Sequence, residues 1–420
     1  MKVTLLLYYL LSFFLVYYLE RTIHVRPHTK CNWSNWERWP HEAKPFHVAL
    51  VADPQIVDNG TYSYPRPLLR LVQFIADQFL FRHWRYLHKK LKPDLTIIMG
   101  DLMDTGREFN RDEWKQDLER FNRIFDFNAA EHVEVYPGNH DIGFGEKTYY
   151  EKIKTFESIY GPTSRSVIAG NHTLALVDGI RLSNTLSPDV YGKPRSYLDF
   201  FNKDKESSSP AILFGHVPLY RPDGTSCGKL REQKDTISFG YGYQYQNVLS
   251  KELSEKILKD VMPIAAFAGD DHDYCEVVHS YTDDYGSVKE VPEYNVKAFA
   301  MTSGIRRPGY QLLSLYYVHE EGKAPSESYQ TQLCLLPDQI AIYVFYGLCS
   351  LLLFAVVTYH TNKHFQKSGR LLPLYHTQAQ NRRANPRYHY KSILHKSFKQ
   401  FTFLTWPAVL FFLVLNVFSV

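Results

Sequence analysis

The chain has 420 residues, 45% hydrophobic and 22% charged, with a formal net charge of +4. That apolar content is ample for a sizeable core and excludes an intrinsically disordered chain. Nine of the cations lie in one acid-free stretch, His360 to Gln400; removing them leaves −5 for everything else, so no nucleic-acid footprint is expected.

Val3 to Leu19 is an almost unbroken apolar run. A cleaved signal peptide and an uncleaved anchor both have such a core, but no small-residue cleavage site follows, because the run exits into Leu19-Glu20-Arg21-Thr22-Ile23. Residues 1–20 are therefore read as a membrane anchor, and under either reading the following domain, 21–339, is translocated.

Five islands in that domain share one pattern: a strand-like apolar run, then a carboxylate, amide or imidazole able to bind a metal. They are Asp53-Pro54-Gln55 after His47 to Ala52, Gly100-Asp101-Leu102-Met103-Asp104 after Leu95 to Met99, and Gly138-Asn139-His140-Asp141 after Val133 to Tyr136. Gly215-His216 follows Ala211 to Phe214, and Gly269-Asp270-Asp271-His272 follows Ile264 to Ala268. Loops at the carboxyl ends of buried strands are where α/β folds place their chemistry. A single Gly-Asp or Gly-His after a strand is usually only a turn; the ordered set points to a two-metal phosphoester-cleaving site. Helical spacing of apolar residues covers Leu68 to Leu91 and Arg111 to Phe127, and further strands are expected at Thr173 to Val177 and Val296 to Met301. Asn202 to Pro210, Thr282 to Glu293 and Glu320 to Tyr329 read as loops or linker.

Several other features belong to this domain. Sequons occur at Asn32, Asn59 and Asn171; Asn59 lies so near Asp53 that a glycan there would crowd the metals. Cys31, Cys227, Cys275 and Cys334 allow three pairings, of which Cys31-Cys334 with Cys227-Cys275 is the economical one, and free buried thiols remain the alternative. The run from Phe239 to Asn247 mixes aromatics with amides, so Tyr241, Tyr243 and Tyr245 are read either as a sugar contact or as packing under the site.

Two more apolar runs close the chain, 340–359 and 401–420, each about 30 Å long at 1.5 Å per residue. Between them the basic segment 360–400 belongs in the cytosol by the positive-inside rule, which turns the preceding domain to the lumen. Contact with phospholipid headgroups is a compatible role for the same charges.

The islands resemble the calcineurin-like metallophosphoesterase superfamily, whose pattern runs Asp-x-His, Gly-Asp-x-x-Asp, Gly-Asn-His-Asp/Glu, a later His, then Gly-His-x-His. The resemblance covers roughly residues 46 to 305 and departs from the pattern at two places, where Gln55 and Asp270 replace histidines. The same departures, with Asp271-His272-Asp273-Tyr274-Cys275, are similar to a fungal endoplasmic-reticulum branch that removes ethanolamine phosphate from a mannose of glycosylphosphatidylinositol (GPI) anchors.

This resemblance implies an α/β four-layer sandwich, two packed β-sheets flanked by helices, here joined to three transmembrane helices. It implies two divalent ions, one held by Asp53, Gln55, Asp101 and His272 and the other by Asp101, Asn139, His216 and Asp270, with Asp101 shared. The oxygen-rich donors favour Mn²⁺ over Zn²⁺. His140, next to a ligand but not itself one, is expected to donate the proton to the leaving group, with Asp141 fixing its tautomer. The expected protein is a multi-pass phosphodiesterase of the endoplasmic-reticulum membrane acting on GPI-anchored proteins and working alongside export cargo receptors. The alternatives are a catalytically weak cargo binder for GPI-anchored protein export and a general lumenal phosphatase of small phosphate esters.

Overall fold

Two β-sheets carry the islands. In the first, β1 (Phe46–Val51), β2 (Leu95–Met99) and β3 (Val133–Tyr136) run parallel, and β12 (Gly309–Leu315) and β13 (Tyr329–Leu335) extend the β1 side antiparallel, in the order β13-β12-β1-β2-β3. The second joins β4 (Arg165–Ala169), β5 (His172–Leu176), β6 (Ala211–Phe214), β9 (Ala265–Ala268), β10 (Cys275–Thr282) and β11 (Val288–Asn295) in the order β10-β11-β9-β6-β5-β4. Its central strands β5, β6, β9 and β11 are parallel. A short hairpin, β7 (Tyr241–Gly242) and β8 (Tyr245–Gln246), stands apart from both. This computed structural model describes residues 2–108, 110–203, 209–283, 285–317, 325–370 and 386–417.

Period-2 alternation sorts each strand's side chains onto two faces. Val48, Leu50, Leu95, Ile97, Leu174, Leu176, Ile212, Phe214 and Phe267 all turn inward and form the core between the sheets. Their neighbours Ala49, Val51, Ile98, Ala175, Leu213 and Ala266 turn outward and pack with helical residues such as Phe79, Trp84, Phe121, Ile257 and Leu258. The result is the four-layer sandwich. Trp84 is fully buried in the Arg66–Leu91 helix, and its indole N–H donates to the Asp126 carbonyl at 3.1 Å, which leaves no buried polar atom of that ring unpaired.

Three expectations about elements need correction. Thr282 to Glu293 is no loop: most of it belongs to the β10–β11 hairpin, whose outward side chains are polar and exposed, so its half-buried alternation is hidden in a charged run. Val296 to Met301 is no strand: it is a buried crossing in which Val296, Ala298 and Phe299 donate to the carbonyls of Ala268, His272 and Ala52. Helices at Pro188–Lys203 and Lys251–Val261 were not expected. The loop segments expected at 202–210 and 320–329 lie partly outside the described residues, as does the basic segment 360–400.

The chain divides into two units, Val25–Pro337 and Met1–His24 with Asp338–Val420. Among the described residues three helices are long and apolar enough to cross a membrane, with candidate spans Val3–Lys30, Gln339–Gln366 and Tyr390–Val417, which fall in the second unit except that the first runs on past residue 24. Leu6, Leu351, Leu352 and Phe403 are more than half exposed, which suits a lipid environment rather than water. Glu20, 1% exposed, ties the helices together, accepting from Tyr346 Oη at 3.1 Å and from Asn416 Nδ2 at 3.5 Å, while Arg21 donates to the Leu415 carbonyl.

Candidate metal centre

Each island leaves a parallel strand at its carboxyl end, and the two sheets bring these ends to one edge. The turns are tight enough to force unusual backbone: Asp53, Gln55, Asp101, Asp270 and His272 all have positive φ, between 31° and 68°. Such conformations cost of order 1–3 kcal/mol each for non-glycine residues and persist only where the surroundings impose them. Gly100 and Gly138 allow two islands to touch. A Cβ on Gly138 would sit 2.0 Å from Asp101 Oδ1, and one on Gly100 would meet the Gly138 nitrogen at 2.6 Å.

The decisive geometry surrounds His216. Its Nδ1 donates to the Met99 carbonyl at 2.8 Å, so in the neutral ring the proton sits there and Nε2 is free to accept. Nε2 nevertheless faces three more acceptors: Asn139 Oδ1 at 3.1 Å, Asp101 Oδ1 at 3.3 Å and Asp270 Oδ1 at 3.5 Å. Asn139 is oriented in turn, because its Nδ2 donates to the Gln244 carbonyl at 2.9 Å. Asp53 Oδ1 accepts the Asp270 amide at 3.2 Å, but Oδ2 is buried with no partner. Donor atoms of Asp53, Asp101 and His216 all lie within 4.8 Å of one another. Oxygens converging on one ring nitrogen, beside a buried carboxylate oxygen with no partner, are costly unless positive charge lies among them, so these residues fit divalent metals.

Burial opposes a charge on the His216 imidazole, but Asp101, Asp270 and Asp53 outweigh it and hold the ring well above its usual range; a bound cation would replace that proton. Burial pushes the Asp53 carboxyl up to about 7 against the pull of His216 and His272, a cost that a cation at Oδ2 would offset. Asp101 is equally buried, but His216 and His140 outweigh the desolvation and hold it well below the usual carboxylate range.

The remaining expected ligands take distinct positions. His272 donates from Nδ1 to the Ser303 carbonyl at 3.1 Å, and it is near enough to Asp53 to interact with its charge. Gln55 turns its amide nitrogen to Asp101 Oδ2 at 3.1 Å, so in this arrangement it is a donor to the Asp101 carboxylate.

His140 stands beside the acceptors, its backbone N–H on Asp101 Oδ1 at 2.9 Å and its Nε2 3.9 Å from Asp101 Oδ2. Asp141, however, does not orient it. Side chains one position apart on a helix point about 100° from each other, and Asp141 turns back to accept the amides of Gly138 at 2.8 Å and Leu102 at 3.1 Å. It locks two islands together. The partner of His140 Nδ1 is the Asp104 carbonyl, with Asp104 Oδ1 3.9 Å away.

Gln244 was missed. At φ +62° on the hairpin tip it is 2% exposed, and its side-chain oxygen accepts from Phe144 N at 2.7 Å while its amide donates to the Lys147 carbonyl. The signal was an amide set among aromatics. Tyr241, Tyr243 and Tyr245 are instead 76%, 57% and 46% exposed, so they do not pack beneath the site. Cys31 is bonded to Cys334 and Cys227 to Cys275. Of the sequon asparagines, Asn59 and Asn171 are exposed and Asn32 is half-buried.

The calcineurin-like phosphoesterase family profile matches residues 46–274. The chain belongs to this family. It is a metal-dependent phosphoesterase, and the matched segment contains every island built above. Cell division control protein 1 of Saccharomyces cerevisiae is 42% identical over 335 residues, covering 77% of this chain and 67% of that protein. Metallophosphoesterase 1 of Gallus gallus is 24% identical over 349 residues, covering 77% of this chain and 83% of that protein. A solved dimetal phosphatase from Danio rerio is 13% identical with a TM-score of 0.37, covering 70% of this chain and 100% of that one.

The contact between Gly138 and Asp101 gives a direct test. Gly138→Ala should displace the Asp101 carboxylate, lowering metal content and cutting turnover about 10²-fold, the scale of an ångström misplacement. Gly192→Ala, with nothing within 4 Å, should leave both unchanged. Elemental analysis and phosphodiester turnover on both variants check this; a fully active, metal-loaded Gly138→Ala protein contradicts the close approach.

Proposed function

We propose that this chain is a phosphodiesterase of the endoplasmic-reticulum membrane that removes ethanolamine phosphate from a mannose of the GPI glycan, with the domain 21–339 in the lumen. The observation that carries the reading is the pair of departures from the superfamily pattern. Gln55 and Asp270 are the replacements of the GPI-remodelling branch that the chain resembles, and both side chains touch the acceptor cluster. Asp53, Gln55, Asp101 and His272 would hold one ion and Asp101, Asn139, His216 and Asp270 the other, with manganese preferred for the oxygen donors.

Bound divalent ions supply the Lewis acidity that withdraws charge from the phosphoryl group and activates water. The chain's own residues do the rest. With His140 Nδ1 donating to the Asp104 carbonyl, Nε2 faces the site, and the ring, as an imidazolium, gives its Nε2 proton to the departing sugar oxygen and is left neutral. Asp141 and Gln244 hold the Asn139 loop so that this ring stays beside the phosphate. Tyr241, Tyr243 and Tyr245 offer exposed ring faces for sugars, on a hairpin fixed to a metal ligand. Lumenal placement rests on the nine cations without an acid in 360–400, and it makes Asn32, Asn59 and Asn171 accessible to glycosylation. GPI-anchored proteins are then the substrates, and export cargo receptors receive the trimmed product.

In cells lacking the protein, mass spectrometry of GPI glycans should find ethanolamine phosphate retained on one mannose. Normal glycans with slow export would favour a cargo binder instead, and normal glycans with normal export a phosphatase of small esters. Metal-stripped protein should regain more activity with manganese than with zinc; the reverse order removes the argument from donor hardness.

A further inference from the structure

A second groove opens beside the metal centre and takes no part in the chemistry above. It has a volume of about 590 Å³ and is lined by Asn59, Tyr62, Tyr64, Arg66, Leu69 and Arg70 among others. Its floor is rigid. Asp58 is fully buried and accepts from Gly60 N, Thr61 Oγ1, Thr105 N and Thr105 Oγ1, the last two at 2.7 Å, while Arg120 donates to the Val57 carbonyl. Those bonds join the groove to the loop that follows Asp101. Asp104, whose carbonyl holds His140, also bonds Thr61, and its charge adds to the burial that pushes the Tyr62 phenol up. One end of the groove therefore adjoins the proton donor.

The lining has a specific chemistry. Tyr62 and Tyr64 stack on each other with centroids 5.0 Å apart, and Tyr64 is 47% exposed, so the pair presents a flat face. Arg66 and Arg70 are one helical turn apart, both exposed, and neither has an ion pair with a described residue. The nearby carboxylates Asp77 and Asp117 are already bound by Arg120. An aromatic face beside two uncompensated guanidinium groups suits a flat polar ring that carries a phosphate.

We infer that this groove is a second binding site, for a phosphate-bearing sugar or cyclitol ring. It rests on the proposed glycolipid substrate in one respect: such a substrate carries phosphate at more than one ring, so one phosphodiester lies at the metals while another ring occupies the groove. Asn59, at the rim, is then unglycosylated in the active protein.

The test uses the full-length protein in detergent. Binding of mannose 6-phosphate and of inositol 1-phosphate is measured by calorimetry for the unaltered chain and for Arg66→Glu/Arg70→Glu, alongside turnover of bis(4-nitrophenyl) phosphate. Both arginines are exposed and remote from the core, and turnover of the small ester should stay within about twofold, which reports an intact metal centre. At least one of the two ligands should bind the variant about tenfold more weakly, the scale of two exposed charge contacts; which one it is separates a sugar from an inositol headgroup. Equal affinity for both ligands in both proteins overturns the groove. Release of ethanolamine phosphate from a GPI glycan by the unaltered chain is assayed in parallel; its failure, with the binding difference present, overturns the substrate reading and leaves the groove standing.

Discussion

The constraint on which the rest depends is the crowding of hydrogen-bond acceptors at the carboxyl edge of two sheets. Asn139 Oδ1, Asp101 Oδ1 and Asp270 Oδ1 meet within 3.5 Å of His216 Nε2, while the other ring nitrogen is turned to Met99. In water such groups would turn to solvent; buried, they repel one another unless positive charge lies between them. Folding must therefore force them together, and the work is done by the strands. Strands packed on both faces give rigid exits, and positive φ at five of the seven candidate ligands turns the side chains inward. Local strain of this kind is what a metal-dependent fold stores and metal binding offsets.

Around that cluster lies a ring of backbone carbonyls and amides that decides which atom of each ligand faces the metals. Met99, Ser303 and Gln244 supply carbonyls to His216, His272 and Asn139, and Asp141 binds the amides of Gly138 and Leu102. Outer partners of this sort fix tautomer and orientation, and their loss weakens affinity without removing a ligand. The Tyr-rich hairpin is thus joined to the candidate ligand Asn139 through one buried glutamine, while its tyrosines stay exposed.

Much of this was legible in the sequence because the chemistry follows strands. An apolar run ending in Gly-Asp, Gly-Asn-His or Gly-His needs no partner element to be recognised, so all five islands were found, as were the Arg66–Leu91 helix and the three long apolar helices. What failed depended on tertiary context. The β10–β11 hairpin alternates buried Val277 and Val291 with exposed Glu276 and Lys289, and so reads as a polar loop. Val296 to Met301 is apolar because it is buried between sheet edges, not because it pairs as a strand. Asp141 was given to His140 by adjacency, whereas helix geometry turns it the other way. Gln244 is marked locally only as an amide among aromatics, because the partners that give it its place are 100 and 105 residues away in the chain.

The membrane unit follows a simpler rule: apolar surface is turned outward. Glu20 at 1% exposure is tolerable there because Tyr346 and Asn416 donate to it. The account as a whole stands on the acceptor cluster enclosing two ions with Asp101 shared. The most direct measurement is metal content per chain by elemental analysis of the full-length protein and of its Asp101→Asn variant. Two ions in the unaltered chain, both lost together in the variant, is the result expected; a single ion, or a variant that keeps its full complement, contradicts it.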